Sequence, residues 1–180
     1  MKSINLGASS LAATLILVLA IAGSATAQQP NYDATGPVPP AIRNAKTIFV
    51  SNAGSDSGLF PEPFTGSPSR PYARFYDELK ATGHYQLVDD PSAADLVLEL
   101  QLMAPNGPQN PNKQYGASDP LPMLRLVVYD RKTHYILWAA SESVGLAFLQ
   151  KTHDHNLDSA VDAILTDFET TAGISPPKAP

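Results

Sequence analysis

The chain has 180 residues, 43% of them hydrophobic and 16% charged, and a formal net charge of −5. That length suits one ordinary domain, and the acidic balance disfavours a broad phosphate-binding surface. With Cys 0, disulfides, thiolate catalysis, cysteine zinc sites and a lipidated amino-terminal cysteine are all excluded.

Residues 1–27 read as a secretory signal peptide. Lys2 supplies a positive start, Leu11–Ala22 is an uncharged apolar run, and Ala25-Thr26-Ala27 is the small-x-small pattern of a cleavage site before Gln28. The apolar run is shorter than the roughly 20 residues a spanning helix needs. Removing Lys2 with this segment moves the net charge from −5 to −6. No transmembrane segment is expected in the mature chain.

Pro is 17 of 180, and all but Pro91 fall in four segments: 28–42, 59–71, 104–122 and 175–180. Each proline fixes φ and removes a backbone donor, so these segments read as loops or tails. Residues 28–45 are predicted as a flexible Pro-rich mature amino terminus, 46–172 as a single α/β domain and 173–180 as a disordered Pro-rich tail. Two long loops, 53–70 and 104–122, interrupt the domain.

Between the loops the pattern is regular. Thr47–Asn52 is a short β-rich run. Residues 70–82 are predicted as a helix, with Ser69 as N-cap, Pro71 in the first turn, Gly83 as the stop, and an apolar stripe of Tyr72, Phe75, Tyr76 and Leu79. Tyr85–Asp89 is a second strand, and 90–94 a turn or a single helical turn. In Leu96–Met103, Leu96, Leu98, Leu100 and Leu102 face one way and Glu99 and Gln101 the other. Met123–Tyr129 and Tyr135–Ser143 make a β-hairpin around Asp130–His134. Residues 156–171 form a second helix, with Leu157, Val161, Ile164, Leu165 and Phe168 on one side. The order is β-α-β-β-β-β-α. The economical fold is an α+β two-layer sandwich, a mixed β-sheet with both amphipathic helices packed on one face. The patterns leave the strand order open.

The string Leu79 to Val88 (LKATGHYQLV), then Asp90 to Leu98 (DPSAADLVL), with the hairpin Val127 to Thr133 leading to Leu137-Trp138, resembles exported bacterial envelope domains and lipoproteins of unknown function. It is more distantly similar to the amino-terminal α/β domain of TolB. The likeness spans about residues 46–171 and rests on fold-forming residues. It implies an envelope setting and a non-enzymatic habit, and carries over no active-site residue. Arg131 and His134 stand where such families place a turn proline and glycine, and the family's lipid-anchoring cysteine is absent.

Several groups could carry chemistry. Gly54-Ser55-Asp56-Ser57-Gly58 has Asp56 where a nucleophile elbow needs Ser, and no helix follows. Asp56 could instead join a loop cation site. Asp89, Asp90 and Asp95 could form a carboxylate cluster or serve as turn caps. His153-Asp154-His155 is the densest set of metal-type ligands, with Asp158, His134 or His84 as a third donor. Two imidazoles at i, i+2 meet one metal only from extended backbone. The competing reading makes Asp154 or Asn156 the cap of the closing helix. Phe60 and Phe64, in an aperiodic Pro-rich loop, are either a lid over the core or, with Tyr115 of the second loop, partner contacts.

These features predict an exported periplasmic or secreted chain, acting as a non-enzymatic binding or assembly module of the cell envelope. No cofactor and no nucleic-acid partner are expected; an envelope protein or a second copy is. The alternative is a metal-dependent hydrolase using the His153-Asp154-His155 segment.

Overall fold

The computed structural model describes residues 36–109 and 118–174. In chain order these form α1 (Pro40–Asn44), β1 (Thr47–Ser55), α2 (Arg70–Thr82), β2 (Gln86–Leu87), a 3-10 turn (Pro91–Ala93), β3 (Leu96–Met103), β4 (Asn106–Gln109), β5 (Ser118–Pro120), β6 (Met123–Asp130), β7 (Ile136–Ser143) and α3 (Gln150–Ala172). The predicted signal peptide, the tail from 175 and Tyr115 lie outside the described residues.

Five strands make one sheet in the order β2-β1-β3-β6-β7. β1 runs parallel to both β2 and β3, and β6 runs antiparallel to β3 and to β7. The sheet is therefore mixed, with the β1-α2-β2 crossover supplying its parallel part. β4 and β5 pair as a separate antiparallel ribbon within the second long loop.

The alternation in β3 becomes a packed stripe. Leu98 lies opposite Val128, Leu100 opposite Leu126 and Leu102 opposite Leu124, and all six are buried. Phe75 and Leu79 of α2 join that core, as do Leu157, Val161, Ile164 and Phe168 of α3. Both helices thus cover the leucine face in a two-layer α+β fold. Full burial of each such side chain contributes about 1.5–3 kcal/mol, so this stripe is the main source of stability in a chain without disulfides.

Gly83 ends α2 at φ 68, with its N–H donated to Lys80 O, a left-handed cap that glycine adopts without a Cβ penalty. Several boundaries differ from the sequence reading. β1 runs on from the expected Asn52 to Ser55, and of the expected strand Tyr85–Asp89 only Gln86–Leu87 is strand. Pro39-Pro40 opens α1 instead of continuing a flexible terminus, because proline at the first helical position loses no hydrogen bond; Ile42 of this turn is fully buried. α3 begins at Gln150, a turn and a half before the expected 156. Its amino-terminal turns are held by contacts from a loop some 90 residues away.

The hairpin turn carries His134 at φ 59, the one non-glycine residue with positive φ among those described. Asp130 stabilises it by accepting the N–H groups of Lys132 and Thr133 and the Thr133 hydroxyl, while His134 N–H donates to Asp130 O at 2.8 Å. An Asx-type turn thereby replaces the expected glycine.

Candidate functional site

The loop after β1 folds back as a lid. Leu59 and Phe64 are buried in the core cluster, and the Phe64 ring lies 6.0 Å from that of Phe60 and 6.3 Å from the His153 imidazole. Phe64 is therefore no surface contact: an aperiodic aromatic in a polar loop has found the core. Phe60 stays half-exposed.

The lid is fastened to α3 through Asp154. This carboxylate accepts the Thr65 N–H at 2.9 Å, the Thr65 hydroxyl at 2.7 Å and Arg70 Nη1 at 2.6 Å. Arg70 also donates to Thr65 O at 3.1 Å and, through Nη2, to both oxygens of Asp158 at 2.8 and 3.0 Å. Burial pushes the Asp154 carboxyl up, but the Thr65 and Arg70 donors outweigh it and hold the group below its ordinary value. One turn on, Arg74 donates to Asp162 at 2.7 Å and pairs with Glu78 at 2.6 Å. Arg70 and Arg74 at i, i+4 on α2 thus face Asp154, Asp158 and Asp162 at i, i+4 on α3, so the two helices run in the same direction. Those two spacings were legible in the sequence as a matched charge ladder, a signal its reading missed.

His153 and His155 do not converge. Their segment is helical, so the two side chains point about 200° apart. His153 contacts Pro63 O through Nδ1 at 3.0 Å and Ala147 O through Nε2; His155 is exposed. Among the described residues no group of three or more His, Asp or Glu side chains is placed to hold a metal. Helix geometry separates the two imidazoles and backbone carbonyls engage His153, so the His153-Asp154-His155 segment does not bring its ligand-type groups to one point. Asp154 is likewise no helix cap, since α3 starts four residues earlier.

Three of the other candidate carboxylates, Asp56, Asp90 and Asp95, hold backbone, while Asp89 is not joined to them. Asp95 Oδ2 accepts the N–H groups of Lys46 and Thr47 at 2.8 and 3.0 Å, tying the start of β1 to β3 and lowering the Asp95 pKa. Asp90 accepts the Ser92 hydroxyl and N–H, which lower its pKa and cap the 3-10 turn. Asp56 accepts the Ala104 N–H at 2.8 Å, closing the far end of the same strand pair. Turn and loop anchoring, not acid–base pairing, is their geometry.

One carboxyl is shifted into the neutral range. Glu78 is pushed up to about 7 by burial first, then by its hydrogen bond with Asp162 and by the charges of Asp162 and Asp158, against the pull of Arg74. The folded chain then holds this proton more tightly than the unfolded chain, whose value is near 4.5. Its contribution to stability is full below 4.5 and is lost as pH rises through 7. Replacing Glu78 with Gln is expected to raise stability at pH 8 by about 1 kcal/mol after allowance for solvent screening. It should also flatten the decline between pH 4.5 and 7. Parallel urea titrations of both proteins across that range check this, and identical pH slopes would refute it.

Among solved structures, a DUF4136 family protein from Bacteroides thetaiotaomicron is similar at 16% identity and a TM-score of 0.45, over 75% of this chain and 91% of that one. A lipoprotein from Neisseria meningitidis is similar at 14% identity and a TM-score of 0.36, over 69% of this chain and 99% of that one. The PelC dodecamer from Paraburkholderia phytofirmans is similar at 12% identity and a TM-score of 0.40, over 74% and 91%. No family model matches the chain, and no curated protein matches it. These are distant likenesses of chain trace, and no role passes from them to this chain.

Proposed function

We propose that this chain is an exported, non-enzymatic binding or assembly module of the bacterial cell envelope, working in the periplasm or after secretion. The observation that carries the reading is the use of its reactive-type side chains. Asp56, Asp90, Asp95, Asp130 and Asp154 each accept backbone N–H groups that fix a loop or strand end. Carboxylates held in this way stabilise a scaffold and are poorly placed to move protons to a substrate. The signal-peptide pattern of residues 1–27 supplies the compartment, and the resemblance of residues 46–171 to envelope domains agrees with it. Among the described residues no helix is long and apolar enough to cross a membrane.

Expression of the full chain in a Gram-negative host tests the compartment. The expected product is a periplasmic or medium fraction whose intact mass begins at Gln28. A chain recovered in the cytoplasm with residues 1–27 still attached would overturn the export reading.

A further inference from the structure

The sheet has two unequal edges. β2 offers two residues, too few to template another strand, whereas β7 offers eight. Long edge strands are ordinarily guarded by proline, lysine or inward charge. β7 (ILWAASES) has no proline and no basic residue; its only charge, Glu142, lies near the end of the strand opposite the buried Leu124, where it turns inward to Asp167 of α3 and leaves the middle of the edge unguarded. Among the described residues no strand lies beyond it. Val144 N–H donates to Pro122 O at 2.8 Å. Alternation along the antiparallel ladder therefore turns the N–H groups of Ala139 and Ser141 away from β6, toward solvent.

The large apolar side chains that remain exposed cluster at the two ends of this edge. Tyr135 (74%) and Ile136 (55%) stand at its start; Leu146, Phe148 and Leu149 (69%) follow its end, and Leu121 precedes the Pro122 that pairs with Val144. Those described are all accounted for by these two places. The two apolar ends can cover each other in one arrangement, antiparallel pairing of β7 with a second β7.

We propose that β7 pairs antiparallel with β7 of a second copy about a two-fold axis beside Ala140, joining two sheets into one of ten strands. In that register Ala139 bonds Ser141 of the other copy, and Tyr135 and Ile136 meet the segment that opens with Val144 and Gly145. The two Glu142 side chains stand about four residues apart along the strands, roughly 13 Å, beyond a physiological screening length. α3 lies over β6 and β7. One further strand spacing of about 4.8 Å puts the two α3 helices roughly 10 Å apart, the ordinary packing distance. The groove between β7 and α3, about 390 Å³ and lined by Gly145, Ser159, Ala160 and Ala163, leaves room for that approach. The proposal deepens the assembly reading by naming a surface and its partner, a second copy.

The test uses the mature chain from Gln28. Analytical ultracentrifugation at about 50 μM should give twice the chain mass, and Ser141→Pro and Phe148→Asp should each weaken association at least about tenfold. Unchanged far-ultraviolet circular dichroism would show that both variants fold. Because the chain has Cys 0, Ala140→Cys provides a separate readout. Two Ala140 residues across the axis form a closely spaced pair within disulfide reach, so mild oxidation should give a covalent dimer. A wild-type monomer at that concentration overturns the interface while leaving the export and envelope reading intact. An oligomer that Ala140→Cys fails to cross-link and Ser141→Pro fails to weaken overturns it too.

Discussion

Replacing Phe64 with Ala is expected to destabilise the domain by about 3–5 kcal/mol, lowering its melting temperature by on the order of 10 °C. Phe64 is fully buried, held between Phe60 and His153 and walled by core side chains. Truncation removes its transfer free energy and leaves a cavity that the anchored lid cannot close, because Thr65 is tied to Asp154 and Pro63 O to His153 and Gln150. The half-exposed Phe60 should cost far less, about 1 kcal/mol. Thermal unfolding of the two variants separates a lid from a contact patch: an exposed binding residue would be silent in stability and visible only in partner recovery. A Phe64→Ala protein melting within about 1 °C of wild type would sink the lid assignment.

The leucine faces were legible because period-two alternation admits one solution once a face must be buried. Leu96 to Leu102 and Leu124 to Val128 are therefore buried as read, although their being neighbours was not foreseen. α2 was legible to the residue because its stripe, its Pro71 and its Gly83 are local signals. The start of α3 was not. Nothing within residues 150–155 favours a helix strongly; Pro63 and Thr65 stabilise that turn, and their arrival is a tertiary event. Strand order was hidden for the same reason, since β1 carries no mark of which neighbours it takes. The candidate site followed this division. His153-Asp154-His155 looked like a ligand set because ligand-type residues and fasteners are the same residues. Only the helical backbone, which splits the two imidazoles, tells them apart.

Arg70→Met is expected to cost about 2–3 kcal/mol and to loosen the lid before the domain unfolds. The guanidinium satisfies Asp154 and Asp158 together, at 2.6 and 2.8 Å, with side chains only 19% and 29% exposed. Removing it leaves the partly desolvated Asp154 carboxylate near Thr65 O without a cation, and leaves Asp158 only Arg74 at 3.8 Å. Lysine restores the charge without the planar fork, so Arg70→Lys should recover part of the loss. Amide exchange at Thr65, whose N–H bonds Asp154 at 2.9 Å, should quicken more than exchange in β3. The pH dependence has a definite sign. The Asp154 carboxyl is held below its ordinary 3.8 in the folded chain, so its contribution is present above that value and fades as pH falls through the folded value. The advantage of wild type over Asp154→Asn should therefore be full near neutrality and shrink in acid below the ordinary carboxylate range. A double-mutant cycle between Arg70→Met and Asp154→Asn should give a coupling of about 1–2 kcal/mol. Additive losses, with Thr65 exchange unchanged, would mean that burial of Phe64 alone holds the lid and that the charge ladder merely decorates the joint between α2 and α3.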